Sequence, residues 1–197
     1  MLRSRLAHAR SRVHWLCSAL PGPGHVRKNR MISFSLKAEP IPADRIPRTL
    51  EEHGILTNHY AEEYISHPRF FAGLKRELTV TVASLREIGL ADGACLEELF
   101  RHIRGSRLRP CPPCTGLFLR LAWRDQPQSR NSVLSGTHSA PDLSVTVLSE
   151  IPEQSDAFPK GLYLRNVDGK LWLRGYICDA AYRFPGDALF AFEAINE

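Results

Sequence analysis

Apolar and polar side chains alternate along ISFSLKA, where Ile32, Phe34 and Leu36 interleave with Ser33, Ser35 and Lys37. That period of two predicts a short strand. The same alternation recurs in LSVTVLS (143–149) and ALFAFEA (188–194). It also runs through three related stretches, GLFLR (116–120), GLYLR (161–165) and KLWLR (170–174). All of these are expected as strands. The last two stretches flank Asp168-Gly169, and Asp-Gly between two alternating runs specifies a tight type I′ hairpin. A two-residue turn sets the register: Val167 opposite Lys170, Arg165 opposite Trp172, Tyr163 opposite Arg174, and Leu164 opposite Leu173. One face then carries leucines, and the other carries Tyr163, Arg165, Trp172, Arg174 and Tyr176.

Between residues 45 and 105 the pattern turns helical. Thr49 and Glu52 have capping-box spacing for a short helix that Gly54 ends. Asn58 is placed to cap a second helix running through Ser66, before Pro68. Phe70, Leu74, Leu78, Val82, Leu85 and Ile88 form a stripe at three- and four-residue intervals, which predicts a helix over 70–88. The β-branched run LTVTVA (78–83) competes with that reading. Asp92 is expected to cap a further helix over about 94–104, with Leu96, Leu99, Phe100 and Ile103 inward.

The expected fold class is therefore α+β. An N-terminal helical half packs on one face of a C-terminal antiparallel sheet of about four to six strands, forming a single domain over 31–197.

Charge changes this picture at one end only. The 197 residues carry a formal charge of +5, but residues 1–30 hold seven Arg or Lys and no acid. Removing those seven from the 26 basic residues leaves 19 against 21 acids, a net −2. Residues 1–30 are read as a basic tail outside the fold, and the body gives little support to nucleic-acid binding. No apolar run approaches the length of a membrane-spanning helix. Five cysteines, Cys17, Cys95, Cys111, Cys114 and Cys178, are too few and odd in number for a disulfide scaffold, so a cytoplasmic, reducing setting is expected.

Candidate chemistry is limited. Tyr163, Arg165, Trp172, Arg174 and Tyr176 form the best candidate contact face, because Trp, Tyr and Arg dominate binding hot spots. A protein or peptide partner fits the slightly acidic body better than nucleic acid does. The competing reading is that this face only completes the second side of the sheet, with arginine stems covering aromatic rings. An alternative activity, a small hydrolase or transferase, would use His138 and Asp142 at the end of a polar loop.

A second alternative is a zinc-stabilised, nucleic-acid-associated protein with Cys95, His102, Cys111 and Cys114 as ligands, at a spacing unlike a standard finger. A redox role for Cys111-Pro-Pro-Cys114 is set aside because a strand, not a helix, is expected to follow. The leading reading assigns no cofactor. Neither GxGxxG nor a P-loop motif is present.

Overall fold

The computed structural model describes residues 31–129 and 142–195. Its elements in chain order are β1 (Ile32–Lys37), α1 (Ile46–Glu52), β2 (Ile55–Leu56), α2 (His59–Ser66), β3 (Glu77–Ser84), α3 (Leu96–Ile103), β4 (Leu108–Arg109), α4 (Thr115–Ala122), β5 (Val145–Val147), β6 (Gly161–Val167), β7 (Lys170–Tyr176) and β8 (Leu189–Ala194). The strands make one eight-stranded sheet in the order β1-β3-β8-β5-β6-β7-β2, with β4 alongside β8. The fold is α+β as expected, but the sheet exceeds four to six strands because β2 and β3 come from the part of the chain read as helical and β4 from the stretch just after it. It is also mixed, since β5 runs parallel to β8 and β2 parallel to β7.

The stripe over 70–88 does not form a helix. Turns occupy 68–73, and β3 follows from Glu77. Leu74, Leu78 and Val82 are four residues apart, a spacing that serves an even-period strand as well as a helix. The β-branched residues decide between the two, and Leu78, Val80 and Val82 all point into the core. The opposite substitution occurs at GLFLRLA, which forms α4 rather than a strand. Every side chain from Thr115 to Arg120 is buried, so the segment has no polar face to reveal its period. Gly116 lets α4 lie directly on β6, because a Cβ there would stand 2.9 Å from Leu162 Cβ.

Two hydrophobic cores sandwich the sheet. The first gathers Phe34, Leu36, Val80, Val82, Leu162, Leu164, Leu171 and Leu173 under α1, α2 and α4. The second lies on the other face and holds Phe184, Phe190 and Phe192 with Leu99 and Ile103 of α3. The expectation of helices on one face only is thus corrected, since α3 covers the other.

The hairpin forms with the expected register at all of its predicted pairs. Its turn residues Asp168 and Gly169 both have positive φ, 50° and 72°, as type I′ requires. At the far edge of β7 one side chain extends the ladder. Asn58 Nδ2 donates to the Gly175 carbonyl at 3.1 Å, and Gly175 N–H donates to Asn58 Oδ1 at 2.8 Å. The same Oδ1 accepts from Ala61 N–H, capping α2 as expected.

Candidate functional site

The hairpin places Tyr163 across from Arg174, and Arg165 across from Trp172, all on the side of the sheet away from the leucines. With Tyr176, which shares that side, these five residues do not form an open platform. Tyr163 and Arg165 are only 7% and 2% exposed, and Trp172, Arg174 and Tyr176 are half-buried. The cause is a row of edge-to-face rings: Tyr163 meets Tyr176 at 6.4 Å, Tyr176 meets Phe184 at 6.2 Å, and Phe184 meets Phe190 at 5.0 Å. The patch is the margin of the second core, and its rim is Trp172 with Arg174.

At that rim the Arg174 guanidinium lies over the Trp172 ring, 5.2 Å from its centroid. Arg174 Nε is buried and has no hydrogen-bond partner, and no carboxylate among the described residues pairs with the group. Arg165 sits deeper. Its Nε and Nη2 donate to Ser129 Oγ at 3.3 and 3.2 Å. Burial lowers the Arg165 pKa, and the charge of Arg174 lowers it further, while Tyr163, Asp142 and Asp168 oppose this. Ser129 Oγ in turn donates to the Asp142 carbonyl at 2.6 Å. Asp142 therefore lies beside the patch, whereas His138 lies outside the described residues.

The third copy of the repeated frame leads elsewhere. Arg120 projects from α4 and is 0% exposed. Its Nη1 donates to Gln126 Oε1 at 2.5 Å, while Nε and Nη2 have no partner. Gln126 is held by the carbonyls of Leu143 and Leu164, both at 3.2 Å, and its own carbonyl accepts from Asn166 Nδ2 at 2.8 Å. Burial brings the Arg120 pKa down to about 10, and Arg124 adds to the shift. The only signal in the sequence was the position of Arg120 in GLFLR, and that signal suggested a shared face with Arg165 and Arg174 that the helix abolishes.

Arg120→Met should remove a buried charge and keep most of the volume. We expect a gain of about 1–2 kcal/mol, after about 1 kcal/mol is lost by leaving Gln126 Oε1 unpaired. Thermal melts of the two proteins read this directly, and a lower midpoint in the variant would contradict it.

Among the described residues the thiols do not assemble into a centre. Cys111 and Cys114 are buried in the first core, with Cys111 Sγ near the Ala191 carbonyl at 3.8 Å. Cys95 caps α3, and His102 Nε2 contacts the Ile88 carbonyl at 2.7 Å, both at the helix that covers the opposite face. Among the described residues no three of His, Cys, Asp or Glu come close enough to hold a metal ion. A helix does follow Cys114, contrary to the expected strand, so the ground for setting a redox pair aside is corrected. Burial supplies a different one, because it raises the Cys114 thiol from 9.0 to about 12 and pushes Cys111 up as well. Reactive thiols need the opposite shift.

At the end of the sheet where β1, β3 and β8 meet there is also a cleft of about 740 Å³. Charges of both signs line it, including Lys75, Arg109, Glu77, Glu150 and Glu193, and Lys75 is ion-paired with Glu193. No known family, curated protein or solved structure matches the chain. Among the described residues, no helix is long and apolar enough to cross a membrane.

Proposed function

We propose that this chain is a small binding protein that holds a protein or peptide partner at the rim formed by Trp172 and Arg174, with Tyr163, Arg165 and Tyr176 behind them. One observation carries the reading. Arg174 is a half-buried cation, stacked on an indole, with one buried donor unused and no acidic partner among the described residues. An acidic or carbonyl group on a partner would pair with the half-buried guanidinium and lie against the Trp172 ring. The second core behind Tyr163 and Tyr176 keeps the rim rigid, so little ordering entropy is lost on binding. The body's slight negative charge favours a protein or peptide over nucleic acid. Cys95, Cys111, Cys114 and Cys178 are unpaired, which fits a cytoplasmic setting.

The test is co-purification from the native cell with quantitative mass spectrometry, comparing wild type with Trp172→Ala/Arg174→Ala. Loss of the two anchors should cost about 2–4 kcal/mol of binding, a loss of 30-fold or more in partner recovery. A partner recovered equally by the folded double variant would defeat the reading.

A further inference from the structure

The two ends of the sheet are treated differently. At the β7 end, β2 covers only Leu171 and Trp172, and the Asn58 carboxamide then occupies the N–H and C=O of Gly175. At the other end, β1 pairs with β3 along all six of its residues, and among the described residues nothing comparable covers its outer side. The next rung, Ala38 N–H to the Arg76 carbonyl at 3.0 Å, sets the phase of the ladder. Backbone groups of Ile32, Phe34 and Leu36 point at β3, and those of Ser33, Ser35 and Lys37 point away from it. These outward N–H and C=O groups make no hydrogen bond among the described residues, and all three residues are exposed. The strand has no proline and no positive-φ residue to blunt it.

We propose that β1 pairs antiparallel with β1 of a second copy of this chain, joining the two eight-stranded sheets across a two-fold axis at Ser35. In that register Ser35 faces Ser35, each Ser33 faces a Lys37, and each Phe34 faces a Leu36. Every outward backbone group then has a partner. The side chains match on both faces, because the apolar Phe34 and Leu36 continue the first core's side while the serines and lysines stay together on the other. Charge fits as well. Lys37 is the one charged residue of β1, the two-fold sends the two lysines to opposite ends of the pair, and each already stands across from Glu77 of β3. A foreign strand could use the same backbone groups, but its side chains would have to reproduce this alternation, which a second copy supplies by symmetry.

Sedimentation of the full chain over a concentration series tests this, together with amide hydrogen exchange. A concentration-dependent dimer is expected, with the amides of Ser33, Ser35 and Lys37 gaining protection as it forms. Ser35→Lys sets two like charges face to face on the axis and should weaken association about tenfold or more, while leaving the monomer's melting temperature unchanged. Ser35→Pro removes an outward N–H that β3 does not use and should give the same loss. A wild-type chain that stays monomeric up to its solubility limit would overturn the proposal. A dimer indifferent to both substitutions, or protection of those amides that does not depend on concentration, would do the same.

Discussion

Gly175→Ala should destabilise the protein by about 3 kcal/mol or more and lower its midpoint by roughly 6–12 °C. A Cβ at this position would fall 2.4 Å from Tyr60 C, 2.5 Å from Tyr60 O and 2.6 Å from Ala61 N. Those atoms belong to the first turn of α2, which cannot yield as a flexible side chain would. Moving the helix away would unseat Ala61, Tyr64 and Ile65 from the first core and break both Asn58 bonds to β7. Gly54→Ala is the matched control. Its φ of +62° carries the backbone penalty, but nothing lies within 4 Å, so about 1 kcal/mol is expected. Thermal or urea melts of the two variants separate collision from conformation, and equal losses would show that α2 adjusts freely.

Alkali should unfold the protein earlier than its net charge suggests. Burial raises Cys114 from 9.0 to about 12 and raises Cys111 further, and it raises the phenols of Tyr64 and Tyr176. These groups keep their protons in the folded state at pH values where the unfolded chain has lost them. The stability they provide is complete below pH 9 and falls as pH climbs toward the folded values. Each approaches a slope of about 1.4 kcal/mol per pH unit once the unfolded thiol is mostly ionised, so the two buried thiols alone remove about 2 kcal/mol between pH 9 and 10. Arg120 works in the opposite direction, since losing its proton above about 10 relieves a buried charge. Melts under reducing conditions from pH 7 to 10.5 should show the decline, and Cys111→Ala/Cys114→Ala should flatten it. A midpoint unchanged between pH 8 and 10 in the wild type would refute the assignment.

The hairpin could be read in full from the sequence because two local signals agree there. Asp168-Gly169 allows only a tight turn, and the leucine alternation on both sides admits only one register. Asn58 was legible as a helix cap for the same reason. Its second role was not, because the partner Gly175 lies 117 residues away. The segments 70–88 and 116–123 misled for two reasons. A four-residue spacing suits both periods, and a segment buried all round shows none. The five residues of the candidate site could be named from register, but their burial could not. It depends on Phe184, Phe190 and Phe192, which sequence places well beyond the hairpin and the fold returns beneath it.

The position of β8 has a consequence for biosynthesis. It is the last strand among the described residues, yet it lies in the interior of the sheet, with β3 on one side and β5 on the other. Until Leu189–Ala194 leave the ribosome, the nascent chain can build a β1–β3 ribbon and a separate β5–β6–β7 meander, but it has no strand to join them. Both fragments expose edges and half of a core during that interval. Folding therefore waits for β8, its decisive contacts are among the longest in sequence, and the two halves of the sheet stay separate until Leu189–Ala194 are available.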